Sequence, residues 1–227
     1  MYSTASRIRI RLQTFNCDGR YGTALLAVCG LVLALQLADG AASHLLRYDR
    51  TAIAAGQWWR LLTAHLVHLS WRQAVLDLAG LVLLWVLFAR DLDVWAWAGV
   101  TLTAAAAIDC GLWVRDPQVI WYLGLSGVLH GVLAAVAFVR LRRGELEGWI
   151  LAGLLVAKLA YEQIHGAMPF AGDMPVIVDA HLYGALGGLC AAMALGLRPS
   201  GSGRTAGHSP GRPEPLRPAG RRPPRSR

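Results

Sequence analysis

Apolar residues in this chain run on for membrane lengths, with no helical or strand period of polar positions between them. Sparsely charged stretches near or above about 18 residues read as bilayer spans, not as faces of a soluble core. Six can be placed, at about Tyr21–Ala38, Gln73–Ala89, Val94–Trp113, Trp121–Val139, Trp149–Ile164 and Val176–Leu197. The first has no small-residue cleavage site before Asp39, so it reads as a span and not as a signal peptide. The expected fold is all-α: a polytopic membrane protein with a six-transmembrane-helix bundle over residues 21–197. A basic tail (1–20) precedes it and an Arg/Pro-rich disordered tail (198–227) follows it. The first connection, Asp39 to Arg72, is too apolar for a plain linker. Its strings Gln57-Trp58-Trp59-Arg60-Leu61-Leu62 and His65-Leu66-Val67-His68-Leu69 predict amphipathic helices in the membrane interface, with tryptophan as the anchor.

Composition agrees with this reading, since 55% of the 227 residues are hydrophobic and only 16% are charged. The net charge of +8 matters through its placement. Arg7, Arg9, Arg11 and Arg20 precede the first span, Arg90 follows the second, and Arg140, Arg142 and Arg143 follow the fourth. Eight arginines follow the sixth. An even number of spans puts both tails on one side, and the positive-inside bias makes that side the cytoplasm. Arg47, Arg50, Arg60 and Arg72 in the first loop count against this orientation, although longer loops obey the rule poorly. The basic C-terminal tail reads as a solvated end near anionic lipid, and no nucleic-acid partner is expected. Cys17, Cys29, Cys110 and Cys190 show no metal spacing and no disulfide framework, so they are expected to be packing residues.

Two short strings carry chemistry: Gly124-Leu125-Ser126-Gly127 in the fourth stretch and His181-Leu182-Tyr183-Gly184-Ala185-Leu186-Gly187-Gly188 in the sixth. Polar groups at membrane depth are costly and mark function. With both tails inside, the fourth and sixth spans run in the same direction, which brings Ser126 and His181 to similar depth near the outer surface. Histidine is the usual base for a serine hydroxyl near neutral pH. Close approach of helices in lipid needs small residues, and Gly127 with Gly131 faces Gly184 with Gly188 for that purpose. The serine also sits where backbone N–H groups and the helix dipole suit a developing oxyanion. No acid partner for His181 is evident, because Asp179 two residues earlier points elsewhere.

These residues resemble the rhomboid family of intramembrane serine proteases over nearly all of 21–197. The carriers are Trp59-Arg60, His68-Leu69-Ser70, Gly124-x-Ser126-Gly127 and His181-x-x-Gly184-x-x-x-Gly188, in that order. A narrower resemblance is to the rhombosortases, a bacterial branch associated with C-terminal Gly-Gly sorting tails. It rests on Gly124 through Gly131, Gln57 through Thr63 and Lys158 through Gln163. The resemblance implies that Ser126 is the nucleophile and His181 the general base. His130 stands where rhomboids have a tyrosine; packing on His181 is its expected role, and the alternative is that it is itself the base. Rhomboids commonly carry a histidine and an asparagine on the second span that help the oxyanion site; Gln73 and Asp77 occupy those places here. Gln73 keeps an N–H donor. Asp77 accepts when ionised, so it either holds a proton and donates or pairs structurally with a neighbouring donor.

The implied activity is hydrolysis of a peptide bond in or near the transmembrane segment of a membrane-anchored protein, in a bacterial inner membrane, with the site open to the periplasm. The competing reading is an inactive rhomboid-like protein that binds membrane segments without cutting. A metalloprotease lacks support, because His65 and His68 are three apart and no His-Glu-x-x-His occurs; they read as interfacial packing residues. No cofactor is expected. Lys158 and Glu162, one turn apart, read as a structural ion pair, with a role toward a substrate tail left open.

Overall fold

The computed structural model describes residues 22–169 and 175–196. The basic tails, Cys17 and the arginines expected to face the cytoplasm at either end lie outside them. The described part is mostly helical, as expected. Its elements in order are α1 (Gly22–Leu37), α2 (Asp39–Leu46), β1 (Tyr48–Asp49), α3 (Arg50–Ala54), α4 (Arg60–Thr63) and a 3-10 turn (Ala64–Leu66). Then come α5 (Trp71–Phe88), α6 (Val94–Val114), β2 (Trp121–Tyr122), α7 (Ser126–Arg142), α8 (Leu146–His165) and α9 (Val178–Ala194).

The six long helices fall on the six apolar stretches. At about 1.5 Å per residue they are roughly 24 to 32 Å long, against a hydrocarbon core of about 30 Å. Among the described residues, two of them, α5 and α6, are both long and apolar enough to cross a membrane by length and composition. The others fall short for local reasons: α1 has 16 residues, α7 and α9 have 17, and α8 carries Lys158, Glu162 and Gln163. Large apolar side chains nonetheless cover outer faces, among them Leu26 on α1, Leu83 on α5, Leu102 on α6, Leu154 on α8 and Leu186 on α9. Helix α7 is enclosed, with residues buried on every side from Gly127 to Val139.

The α7–α9 contact sets the geometry of the bundle. A Cβ on Gly184 would collide with the carbonyl oxygen of Gly127, and one on Gly188 with that of Gly131. From the other side, a Cβ on Gly131 would stand 2.6 Å from the Gly184 oxygen. The register advances by four residues on both helices together, so α7 and α9 run parallel in near backbone contact. Gly187 does the same toward α6, where a Cβ would meet Ala107 Cβ at 2.5 Å.

The first loop is a folded platform, which departs from the expected pair of interfacial helices. The string around Trp58 and Trp59 yields only the four-residue α4, and His65 lies in the 3-10 turn that follows it. Trp58 and Trp59 are exposed, as anchors would be, while His65 and His68 are buried within the protein at 3% and 1%. The loop arginines explain the folding. Arg60 Nη1 donates to the carbonyls of His44 and Arg47 (both 2.9 Å), and its Nε to Gln57 Oε1 (2.8 Å). Arg50 donates to the carbonyls of Leu112 (2.5 Å) and Trp113 (3.1 Å), closing the C-terminus of α6. Strand β1 pairs antiparallel with β2, Tyr48 opposite Tyr122 and Asp49 opposite Trp121, which ties the platform to the segment before α7.

At the opposite end of the bundle, Asp91 gathers Arg140 (Nε at 3.0 Å, Nη2 at 2.9 Å) and Arg143. Cys29, Cys110 and Cys190 are free thiols, the last two on exposed positions.

Candidate active site

The fourth apolar stretch becomes helical only at Ser126, five residues later than its composition predicts. Trp121 and Tyr122 are drawn into β2, and every residue of the following turn is held. Gln73 Nε2 donates to the Leu123 carbonyl (3.4 Å), and Gly124 N to that of Ala64 (3.0 Å). The Tyr122 hydroxyl donates to the Gly124 oxygen (3.1 Å), and Leu125 N to Asp77 Oδ2 (3.0 Å). Gly124 adopts φ +124°, a conformation that side chains disfavour, and a Cβ there would stand 2.5 Å from Gln73 Nε2. The turn thus delivers Ser126 as the first residue of α7, with the unpaired N–H groups of the helix start around it.

His181 lies in the first turn of α9 and is buried, 5% exposed. The glycine contact brings its Nε2 to 3.0 Å from Ser126 Oγ. His130, one turn along α7, stacks on the His181 ring (centroids 4.3 Å apart, 18° between planes), and its Nδ1 donates to the Ser126 carbonyl (2.7 Å). The acid at His181 comes from α8: Glu162 Oε2 is 2.9 Å from Nδ1, and Lys158 Nζ is 2.7 Å from Glu162 Oε1. The ion pair expected within α8 is therefore present, and Asp179 is not the partner. Nothing local in the sequence links Glu162 to His181; the one signal is a lone carboxylate in an apolar run.

Gln73 and Asp77 both line the cavity that holds Ser126 and His181, which has a volume of about 200 Å³. Gln73 Oε1 accepts from Leu69 N (2.9 Å), which fixes the amide so that Nε2 faces the serine turn with a second N–H to spare. Of the two readings of Asp77, structural pairing with neighbouring donors matches what its Oδ2 contacts. Its Oδ2 receives the Leu125 N–H and lies 3.1 Å from His68 Nε2, so this oxygen is an acceptor that ties the serine turn to α5. Tyr122, on β2, carries a phenol pushed well above its ordinary range by burial and by the nearby Asp77 and Asp109 carboxylates, and so remains a donor. His65 packs edge-on against it (5.7 Å) and faces Asp109 at 3.5 Å.

Among the described residues, His130, Glu162 and His181 present atoms within 4.8 Å of one another, a spacing a metal ion could use. Both ring nitrogens of His181 already have partners in Ser126 and Glu162, so the donor set is committed to hydrogen bonds. What remains is a hydroxyl beside a base, N–H donors close by, and a cavity whose other walls are mostly apolar. A larger apolar cavity of about 560 Å³ beside Trp58 and Trp113 has no such grouping.

Comparison with known proteins points the same way. The profile of the Rhomboid domain matches residues 55–198, well over half of the chain. A protein of Bacillus subtilis (strain 168) named "Putative rhomboid protease YdcA" is 26% identical over 136 residues. That match covers 60% of this chain and 66% of the relative, just under two thirds of its length.

Proposed function

The chain belongs to the rhomboid family, and from that premise we propose that it is an intramembrane serine endopeptidase acting through Ser126 and His181. The observation that carries the reading is the 3.0 Å contact between Ser126 Oγ and His181 Nε2, made across two helices that only glycine lets approach so closely. Six helices span the bilayer in this proposal, with both termini cytoplasmic and the site open to the periplasmic side.

In the reaction, Ser126 Oγ attacks the carbonyl carbon of the scissile peptide as its proton passes to His181 Nε2. The oxyanion is met by the Ser126 backbone N–H and the free N–H of Gln73 Nε2. His181 then gives the proton to the leaving nitrogen, and the peptide C–N bond breaks to leave an acyl-serine. A water, deprotonated by His181, hydrolyses that ester and restores the serine. Leu69, Leu76 and Met168 give the cavity apolar walls that suit a segment leaving the bilayer.

The substrate class we favour is a membrane-anchored protein with a C-terminal Gly-Gly sorting tail. Its support is the resemblance of three strings to the rhombosortases. The test is co-expression with candidate tailed proteins, scored by release of the tail. Ser126→Ala and His181→Ala should each abolish cleavage while leaving membrane insertion intact, and the double variant should be little worse than either. Substantial cleavage by either single variant removes this assignment; a wild-type protein that binds tails but takes up no fluorophosphonate would be a binding protein instead.

A further inference from the structure

We propose that Glu162 is the positioning residue for His181, so that the site works as a Ser126–His181–Glu162 relay in which Lys158 holds the far carboxylate oxygen. The inference rests on the serine-protease reading above and adds to it an acid drawn from a third helix.

The case begins with where Glu162 lies. Leu155, Leu159 and Glu162 form the buried stripe of α8, at positions i, i+4 and i+7, so the carboxylate faces into the bundle with only 3% exposure. A charge in that position is costly unless each of its oxygens is satisfied. Here they are divided between two partners: Oε1 takes Lys158 Nζ at 2.7 Å and Oε2 takes His181 Nδ1 at 2.9 Å. A structural ion pair needs only the first of these contacts. The second fixes the imidazole that touches Ser126.

That contact has a chemical consequence. A carboxylate can only accept, so Nδ1 must carry its proton toward Glu162, which leaves Nε2 as the lone-pair nitrogen facing Ser126 Oγ. The opposite tautomer would point an N–H at the serine and could not take its proton. When the serine proton does pass to Nε2, the imidazolium forms 2.9 Å from a negative charge. The Nδ1 proton stays on the ring throughout, and Glu162 is never protonated in the cycle. Lys158 offsets part of the carboxylate's pull, so removing the lysine and removing the acid should affect His181 in opposite directions.

The groups that face His181 are Ser126 and His130 from α7, Glu162 and behind it Lys158 from α8, Asp77 from α5 and Tyr122 from β2, the last two across the cavity. Asp179 is on its own helix, and Asp109 on α6 is turned to His65. Of these, only Glu162 bonds Nδ1.

The test uses the full-length protein in liposomes, with the pH dependence of fluorophosphonate labelling as readout. The rate rises with pH as His181 loses its proton and becomes a base. Glu162→Gln should lower the plateau rate by at least about a hundredfold, toward the roughly ten-thousandfold cost of neutralising the acid in a serine–histidine–aspartate triad. It should also move the acid limb to lower pH. Glu162→Asp should recover part of the rate, and Lys158→Met should move the limb to higher pH. A Glu162→Gln protein with wild-type rate and limb overturns the proposal. Should that variant fail to fold, an unmoved limb in Lys158→Met overturns it equally. Reaction of His181 with diethyl pyrocarbonate, read by peptide mass spectrometry across pH, separates the two readings. If Ser126→Ala still takes up label, the serine assignment fails; a His181 midpoint that is the same in wild type and Glu162→Gln sinks the relay alone.

Discussion

At Asp77 Oδ2 the Leu125 N–H and His68 Nε2 converge, at 3.0 and 3.1 Å. The carboxylate thereby acts on the reaction through the backbone, since Leu125 directly precedes Ser126. Asp77→Leu would leave a buried N–H without an acceptor, at a cost of about 1–3 kcal/mol, and would loosen the serine turn. Labelling of Ser126 should fall by about a hundredfold, the scale at which an ångström of misplacement is felt. Asp77→Asn keeps an oxygen in the same place, so it should retain activity within about tenfold and leave the alkaline side of the pH profile unchanged. A profile whose alkaline decline disappears in Asp77→Asn would show instead a carboxyl that donates. Ser126 and His181 stood out in the sequence as polar side chains near glycines inside apolar runs, and His130 through the rhomboid resemblance, as the residue at the place of a family tyrosine. Glu162 was visible as an anomaly but not as a partner of His181, since their contact depends on how α8 docks against α9, and no local spacing encodes that.

Among the elements, the pairing of α7 with α9 was readable, because Gly127, Gly131, Gly184 and Gly188 recur at the four-residue interval of a helix contact. The start of α7 was not. Composition carries the apolar run back to Trp121, but the bridge to β1 and the turn at Gly124 take its first five residues out of the helix. Ser126, expected near the helix start, thereby becomes the first residue of α7. The glycine pairs can be tested at this scale. Gly184→Val or Gly188→Val would place methyl groups where the Gly127 and Gly131 carbonyls now lie, so α7 and α9 must part. Each substitution should reduce cleavage by at least about a hundredfold while the protein still inserts in the membrane. Full activity in both would mean that the dyad distance is set elsewhere.

For the molecule as a whole, the six apolar stretches were plain, and what escaped was the order within the first loop. Its hydrogen bonds run from arginine side chains to carbonyls far along the chain, such as Arg50 to Leu112, and no periodicity announces them. The same bonds give three of the four loop arginines that count against the orientation a structural role. Arg50 and Arg60 are spent on carbonyls at the platform and Arg47 pairs with Asp49 at 3.5 Å, so they serve the fold of the loop. The loop that carries them is also long, and long loops obey the positive-inside rule poorly. At the other end Arg140 and Arg143 meet at Asp91, beside the short turns where the positive-inside rule has most force. Those turns should therefore face the cytoplasm and the end bearing Ser126 the periplasm. In a chain with its four cysteines replaced by serine, Gln118→Cys marks the site end and Glu147→Cys the opposite end, both at exposed positions. A membrane-impermeant maleimide added to intact spheroplasts should label the first and reach the second only after permeabilisation. The reverse pattern would put the catalytic cavity on the cytoplasmic side, and secreted proteins with C-terminal tails would no longer fit as substrates.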